Sequence, residues 1–598
     1  MTPGRTRISG PGSKPSTLED QRRQALNAVA HRDFDAALAL LPAVAAQLPD
    51  DPVVRLALAE ASWGTGDAAG ALPHFEAALA HDPDRLHVRA RRALALLAAE
   101  HPAEALEQLE TVIAALPLDG PIEAMAAPFV APLAFEPAAA DAVLLLGQIL
   151  LAGGALELAI AALHRAVATA PVAASPRLVL GAALALRGET AASLECYQTA
   201  VRLDPDEPLG WTALERSLRA LGQTDEAETY AVAALGLSRD FPDRELLVGN
   251  ALLTAGAPAE ARTRFVRCMA NASWTRDPMP DRADRLRVGV LAAPGRANMP
   301  LDFILDRAVH GFEIVLMLED FAYPHDRIAA RYDVLFNAVA DPDAGQAAVQ
   351  LAAGFAARVP LLPIANPPRA ILDTTRERVA ARLTGIAGCD VPATGRYSTR
   401  TLGTAAGVER ALAEIGLPLL ARPVGSHGGA RLERIDTADA LGRYVAWAAA
   451  DELYLTRYHE FRSADGRYRK YRFIHVDGEL LPYHLAIGDD WLVHYFRTGM
   501  AADATLRDEE AAFLASWADP IGPSGIAALR EIGARIALDY CGIDCAVQPD
   551  GRLLLFECNA AMLVRHTGQP AMFDYKRAPA ERIRDAVSRM LARRAAAR

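Results

Sequence analysis

Two acidic side chains near the end of the chain have the spacing of a shared site. Residues 540–559 form two apolar runs joined at Asp550-Gly551, a strong hairpin signal. With that pair as the two loop residues, Asp544 lies directly opposite Glu557, and Asn559 follows on the same face. Two carboxylates placed together require a positive partner, and a set of oxygen donors suits Mg²⁺. The alternative is a polar hairpin face that simply meets water.

The other face of this hairpin carries thiols. In the same register Cys545 and Cys558 lie with Phe556, and filling of an apolar core is a simpler explanation for them than zinc. Six cysteines in 598 residues do not make a disulfide framework, which predicts a reducing, cytoplasmic compartment.

A basic strand precedes the hairpin. Lys470 and Arg472 alternate with Tyr471, so the two cations share one face of the strand. They are candidates to neutralise phosphate or carboxylate groups, and the alternative is an exposed basic edge that discourages aggregation. The following aromatic segment contains His484 and His494, either of which would act as a base for an attacking amine if that segment faces a cleft. A structural role is the alternative for each histidine.

A glycine-rich loop follows the predicted strand that begins at Leu419. Its side chains have too little bulk for a helix or a strand, and its amides are suited to close over phosphate groups. An ordinary hairpin turn is the alternative. The loop residues are Gly425, Ser426, His427, Gly428 and Gly429.

Composition argues against several classes of partner. A formal net charge of −12 disfavours nucleic acid or an anionic membrane as the main partner. The most apolar region, 144–163, is interrupted by polar residues and glycines, so no membrane span is predicted.

The N-terminal half repeats every 34 residues, with one step of 54 that adds a 20-residue insertion. Paired amphipathic helices, small residues where helices cross, and prolines that close the second helix resemble the tetratricopeptide repeat. About seven units are expected, and their equivalent crossing positions are Ala37, Ala71, Ala105, Ala159, Ser193, Ala227 and Ala261. Such arrays form a curved solenoid whose groove usually takes a peptide or protein. Packing against a neighbouring domain or homodimerisation is the alternative.

The domains are expected to follow changes in sequence character. A proline- and charge-rich segment before residue 285 marks the main boundary, after which strands and helices alternate as in a small parallel sheet. The expected order is a disordered tail over 1–16, an array over 17–277 with its insertion near 118–140, an α/β domain over 285–365, and an α+β domain with a terminal helix over 366–598. The insertion is either a lid over the groove or a partner contact.

The C-terminal half resembles the ribosomal-protein glutamate ligase (RimK-like) branch of the ATP-grasp superfamily. The features that carry the resemblance are Asn366-Pro367 with Val391-Pro392-Ala393-Thr394, the glycine loop after Leu419, the strand Leu453–Tyr458, and Gly542-Ile543-Asp544 with Phe556-Glu557-Cys558-Asn559. The resemblance implies a pre-ATP-grasp domain, an ATP-grasp fold, ATP and Mg²⁺.

The resemblance also implies residue roles. Asp544, Glu557 and Asn559 would hold the metal; Arg472, with Lys470, would face the phosphates and acyl group; Arg565 would clamp the acceptor substrate. Arg376 and Arg422 would contact ATP phosphates together with the glycine loop, and the backbone of Leu455, Thr456, Arg457 and Tyr458 would read the adenine. Members of this family usually have lysine where Arg376 and Arg422 stand. Only three of the 62 basic residues here are lysines, so a general bias toward arginine accounts for the difference.

These features predict a multidomain ligase. The C-terminal half would join a small-molecule or peptide carboxylate to an amine through an acylphosphate, and the array would recruit a peptide or protein. Two alternatives remain. One is an adaptor or scaffold whose ATP-grasp domain binds nucleotide without catalysis, and the other is a phosphotransferase that stops at a phosphorylated product.

Overall fold

Two compact units meet in sequence between Ala261 and Arg262. The computed structural model describes residues 17–31, 33–129, 139–239, 244–272, 285–295, 297–299, 301, 304–305, 309–426, 429, 431–493, 495, 498–562, 564 and 571–598. The predicted tail over 1–16 lies outside the described residues.

The chain up to Ala270 is built from seven consecutive helix pairs and a short insertion, and the last of these helices crosses the boundary between the two units. Each pair joins two helices of about the same length, as the 34-residue period predicts. The pairs are α1 (Leu18–Ala30) with α2 (Phe34–Gln47), α3 (Pro52–Gly64) with α4 (Ala68–His81), α5 (Leu86–Ala98) with α6 (Pro102–Ala114), α8 (Ala139–Ala152) with α9 (Leu156–Thr169), α10 (Ala174–Arg187) with α11 (Thr190–Leu203), α12 (Pro208–Ala220) with α13 (Thr224–Arg239), and α14 (Arg244–Thr254) with α15 (Pro258–Ala270). The insertion contributes α7 (Ile122–Ala126) and a 3₁₀ turn, and its residues 130–138 lie outside the described part of the chain.

The predicted crossing position is buried in every pair. Its exposure is 0% at all six alanines and 1% at Ser193, whose hydroxyl donates a 2.8 Å hydrogen bond to the Gly181 carbonyl. A larger side chain there would separate the second helix from its partner, so small residues recur at this position. The repeat phase predicted from the sequence is therefore confirmed.

A recurring hydrogen bond connects successive repeats. The carbonyl of the proline that closes one repeat accepts a side-chain N–H from six residues further on, in the first helix of the next repeat. The bonds are Arg55 to Pro49 (3.0 Å), Arg89 to Pro83 (2.7 Å) and Trp211 to Pro205 (3.0 Å). Each bond satisfies a carbonyl that no helix can pair.

The second unit begins with a parallel sheet in the order β2-β1-β3-β4. Its elements are β1 (Leu286–Ala292), β2 (His310–Leu316), α16 (His325–Arg331), β3 (Val334–Asn337), α17 (Gln346–Arg358) and β4 (Ile364–Ala365). This agrees with the expected alternation of strands and helices. The same alternation predicts a helix between β1 and β2, over 301–309, and most of those residues lie outside the described part of the chain.

Two further sheets form the rest of the second unit. One is antiparallel, in the order β6-β9-β7-β8, with β6 (Thr394–Ser398), β7 (Leu419–Pro423), β8 (Glu433–Ile435) and β9 (Glu452–Arg457). The other has the order β11-β10-β12-β13-β5, with β5 (Cys389–Asp390), β10 (Tyr468–Val476), β11 (Glu479–Gly488), β12 (Tyr540–Val547) and β13 (Leu553–Asn559). The accompanying helices are α18 (Pro368–Ile371), α19 (Arg376–Leu383), α20 (Thr399–Leu402), α21 (Ala405–Ile415), α22 (Ala438–Trp447), α23 (Ala504–Ala515), α24 (Ala518–Ile536) and α25 (Arg577–Ala596).

The hairpin β12–β13 pairs the two acids as predicted, but its loop length and its register differ from the prediction. Asp544 pairs with Glu557, which confirms that the two face each other. The predicted two-residue loop is wrong, because Val547 pairs with Leu553 and the loop contains one residue more. A register shift just after Asp544 leaves Phe556 as an extra residue, and this bulge offsets the longer loop.

The expected fold class, a tetratricopeptide array followed by a mixed α/β region, is confirmed. Among the described residues, the helices are all too short or too polar to cross a lipid bilayer.

Candidate active site

A cleft of about 240 Å³ lies between the β6-β9-β7-β8 sheet and the β11-β10-β12-β13-β5 sheet of the second unit. Strands β7 and β9 supply one wall, and β10, β12 and β13 supply the other. One end of the lining is charged, and the remainder is mainly apolar and aromatic. The lining residues are Arg376, Pro392, Leu420, Arg422, Gly429, Leu432, Thr456, Arg457, Tyr458, His459, Phe461, Lys470, Arg472, Trp491, Leu492, Val493, Asp544, Leu554, Leu555, Phe556 and Glu557.

Asp544 is the most deeply buried acid of the cleft, with 2% of its side chain exposed. Arg472, its partner on the neighbouring strand, donates Nε to Oδ1 at 2.6 Å and a second guanidinium nitrogen to Oδ2 at 2.8 Å. Lys470 places its ammonium 3.2 Å from Oδ2. Burial raises the pKa of Asp544, but Arg472 and Lys470 outweigh burial and hold that pKa below its ordinary value. The predicted sharing of one strand face by Lys470 and Arg472 is confirmed.

Glu557 has its own cationic partner. Arg376, at the start of α19, donates a guanidinium hydrogen bond to its Oε1. Burial raises the pKa of Glu557, yet Arg376 and then Arg422 lower it below its ordinary value. Each acid of the hairpin is thus already compensated by cations that belong to the chain.

Arg422 connects the cleft to the glycine loop. Its guanidinium donates to the carbonyl of Ser426 and, at 3.1 Å, to the Ser426 hydroxyl. Burial, with Arg376 nearby, lowers the pKa of Arg422 to about 10. Both Gly425 and Gly429 have positive φ, of 75°, and Gly429 lines the cleft. Because glycine alone adopts such angles readily, the sequence is matched to this turn.

Four of the predicted site residues cannot be placed. His427 and Gly428 in the glycine loop, His494 in the aromatic segment and Arg565 beyond the hairpin all lie outside the described residues.

The expected adenine-reading segment is placed in part. Thr456, Arg457 and Tyr458 line the cleft, whereas Leu455 is fully buried in the core of its sheet and does not. The amide of Arg457 donates to the Ala393 carbonyl at 2.8 Å, and the amide of Tyr458 donates to the Pro418 carbonyl at 3.0 Å. Those two donors are committed to the fold, so backbone carbonyls are the groups left to contact an adenine, and the reading of an adenine by this segment stays a prediction.

The expectation that His484 faces the cleft is wrong. Its ring stacks on Tyr495 with centroids 4.9 Å apart, only 5% of the residue is exposed, and it does not contribute to the cleft lining. A residue packed in this way does not reach a substrate in the cleft, so a role as general base is not supported.

The donor chemistry at the hairpin fits Mg²⁺. This cation is usually held by one or two carboxylates together with phosphate oxygens and water. Asp544 and Glu557 supply the carboxylates, and Asn559, whose Oδ1 accepts the Ala561 amide at 2.9 Å, lies two residues beyond Glu557 but does not line the cleft. No group of three or more His, Cys, Asp or Glu side chains suited to a metal occurs in the described part of the chain.

Several lining residues were missed by the sequence argument. Leu420 shares a strand face with Arg422, so period-two alternation along β7 was a usable signal. Phe556 reaches the cleft beside Glu557 because of the bulge, and no local sequence pattern predicts that bulge. His459 and Phe461 follow β9 in an irregular segment, where sequence gives no side-chain direction.

Comparison with protein-family models identifies the repeats. Tetratricopeptide repeat models match residues 62–127, and residues 22–85 with 157–208. No curated protein sequence matches the chain.

Comparison with solved structures gives partial similarity to proteins of two kinds. Human IFIT1, as a dimer with PPP-AAAA, has 13% sequence identity and a TM-score of 0.30 over 42% of this chain and 59% of its own. The D-alanine-D-alanine ligase from Coxiella burnetii has 13% identity and a TM-score of 0.33 over 52% of this chain and 96% of its own. The VanG D-Ala:D-Ser ligase from Enterococcus faecalis has 11% identity and a TM-score of 0.32 over 51% and 99%. This chain therefore spans about three fifths of the IFIT1 chain.

Proposed function

We propose that the second unit binds Mg·ATP in the cleft and joins a carboxylate to an amine through an acylphosphate. One observation carries the proposal. The adjacent strands β10, β12 and β13 bring two acids, the buried Asp544 and the half-buried Glu557, into one cleft with four basic side chains. Those basic side chains are Arg376, Arg422, Lys470 and Arg472.

The charged end of the cleft suits a polyphosphate with its metal. Burial of so many charges is unfavourable unless a bound ligand pairs with them, because a buried ion pair alone adds little to the stability of the fold. Arg472 and Lys470 would turn from Asp544 to phosphate oxygens, and Asp544 with Glu557 would then hold Mg²⁺. Bound ATP would supply the phosphoryl group, and the cation would offset the charge on its oxygens.

The apolar end of the cleft suits a flat ring. Leu420 on β7 and Leu432 just before β8 line it together with Leu554 and Leu555 on β13. Such walls exclude water, which strengthens every electrostatic contact at the charged end. The base would bind there, with carbonyl groups of the segment after β9 as its hydrogen-bond acceptors.

The tetratricopeptide array would recruit a peptide or protein. Its seven pairs present repeated helices with buried crossing points, the architecture that makes an extended groove. We infer that the amine or the carboxylate belongs to a peptide that the array presents.

Thermal unfolding with and without Mg·ATP tests the nucleotide site. Ligand at about one hundred times its dissociation constant should stabilise the folded unit by about 2.7 kcal/mol. We expect Glu557→Gln to lose this stabilisation. The matched control is Glu531→Gln, because Glu531 forms an exposed ion pair with Arg535 away from the lining residues and should leave it intact. Absence of any Mg·ATP effect in the wild-type chain contradicts the proposal.

A second function is favoured by the same ion pairs. Because both acids already have cationic partners, the cleft is also suited to bind nucleotide phosphates without catalysis, which describes an adaptor with an inactive ATP-grasp domain. Incubation with Mg·ATP, a peptide amine and a set of carboxylates separates the two. Formation of ADP and an amide identifies the ligase, and stable binding without ADP identifies the adaptor.

A further inference from the structure

A buried carboxylate next to the cleft collects four donors from three segments of the chain. Glu510 on α23 is fully buried, and its Oε1 accepts the Leu485 amide at 3.1 Å and lies 3.2 Å from the Lys576 ammonium. Its Oε2 accepts the hydroxyls of Tyr495 at 2.7 Å and Tyr575 at 2.5 Å. A buried charge satisfied in this way fixes the elements that carry its partners.

The sequence and the topology explain two of these contacts. β11 is the edge strand of its sheet, so the Leu485 amide has no neighbouring strand to pair with on that side, and Glu510 takes that place. Lys576 is one of only three lysines in a chain rich in arginine. It lies over the Tyr495 ring, with the ammonium 3.9 Å from the centroid, a site where a compact cation fits.

Tyr495 connects this carboxylate to the cleft. Its ring packs against a buried cluster that includes Val493 and Leu554, both of which line the cleft. Tyr495 also follows the lining residue Trp491 by four positions. Its opposite contact is His484, which pairs across the sheet with Arg472, the main partner of Asp544. A displacement of Tyr495 would therefore displace both the aromatic residues and the charged residues that line the cleft.

We propose that Glu510, with Lys576, is a positioning residue for the cleft and acts through Tyr495 to hold the wall formed by Trp491, Leu492 and Val493. Tyr575, on the segment before α25, shares the carboxylate oxygen with Tyr495 and adjoins the Tyr495 hydroxyl, so it acts on the wall only through Tyr495. The inference takes the cleft to be the site of the proposed function, but its test does not depend on that function.

Fluorine NMR of the full chain labelled with fluorotryptophan tests the positioning. Trp491 meets Tyr458 edge to face at 6.0 Å, so its resonance reports the wall, and a Trp491→Phe variant assigns it. The change to make is Tyr495→Phe. The matched control is Tyr575→Phe, which removes a hydroxyl from the same carboxylate oxygen. Trp211, in the helical array, is the internal reference.

We expect Tyr495→Phe to shift or split the Trp491 resonance while Trp211 stays unchanged, and Tyr575→Phe, whose effect passes through Tyr495, to shift Trp491 clearly less. Glu510→Gln should reproduce the Tyr495→Phe spectrum, and it gives a second reading if either tyrosine variant unfolds. An unchanged Trp491 resonance in Tyr495→Phe overturns the proposal, as does an equal shift in both tyrosine variants.

The affinity for Mg·ATP is a separate readout. Loss of a hydrogen bond to a buried charge should weaken Mg·ATP binding about tenfold in Tyr495→Phe, with less than about a twofold change in Tyr575→Phe. If the wild-type chain does not bind Mg·ATP, the proposed function fails, and the fluorine spectra still decide whether Glu510 positions the wall.

Discussion

Arg472 and Asp544 form a two-point ion pair between the neighbouring strands β10 and β12, with N–O distances of 2.6 and 2.8 Å. Lys470 contacts the same carboxylate from the same strand face. The strand pairing sets this arrangement, because Arg472 and Asp544 are direct cross-strand partners. The acid that sequence reasoning assigned to a metal is thus paired with cations before any ligand arrives.

Removing the cation from this pair should destabilise the second unit. Arg472→Met leaves Asp544 buried beside Lys470 alone, and we expect a loss of about 3 kcal/mol in the free energy of unfolding. The double variant Arg472→Met/Asp544→Asn should lose less than the two single losses combined. Urea unfolding measures the coupling, and Arg589→Met, which breaks an exposed pair with Glu479, is the control expected to change stability by less than about 1 kcal/mol. Strict additivity of the two changes would show that the pair is not coupled.

Acid should remove the stabilisation that Asp544 provides. Its pKa is lower in the folded chain than in the unfolded one, because Arg472 and Lys470 outweigh burial. The unfolded state therefore binds the proton first, and stability falls as pH drops below about 4, the ordinary carboxylate pKa. The difference in unfolding free energy between the wild type and Asp544→Asn should be constant from pH 7 to about pH 5 and shrink below it. A difference that grows on acidification contradicts the assigned direction.

Mg²⁺ alone should bind poorly. Asp544 is paired with two cations and Glu557 with Arg376, so a free metal ion has to displace them without any phosphate to receive them. We expect no thermal shift at millimolar Mg²⁺, and a clear shift when ADP or ATP is added with it. Calorimetry gives the same comparison directly. Tight binding of Mg²⁺ without nucleotide would mean that the ion pairs open freely.

Enlarging a crossing residue should destabilise the helical array. Ala159 is fully buried within the α9 helix, whereas Ala161 in the same helix is exposed. Ala159→Leu should cost about 1 to 3 kcal/mol because the helices must separate to admit the new side chain. Ala161→Leu makes the same change in helix propensity as Ala159→Leu and should be nearly neutral. Urea unfolding followed by circular dichroism measures the stability of both variants. Equal losses of stability at the two sites would contradict the claim that close helix packing requires a small residue at Ala159.

The repeat array was readable from sequence because its determinants are local and periodic. Each unit buries a small residue at the same phase, so Ala37 and Ala261 are equivalent although five repeats lie between them. The closing proline repeats as well, but its partner six residues later is arginine in two cases and tryptophan in one. That shared hydrogen bond appears only when the carbonyl and the two different side chains are seen together.

The sequence by itself determined the hairpin, the facing of Asp544 and Glu557, and the shared face of Lys470 and Arg472, because strand alternation relates residues within a few positions. Only the tertiary structure decided what those residues touch. The bulge that turns Phe556 into the cleft lies within one hairpin, and the ring on which His484 stacks belongs to the nearby Tyr495. Both features depend on how strands and side chains pack, which alternation along a strand does not encode. Local patterns set the direction of a side chain along its own strand, whereas its partners follow from how the sheets and helices pack.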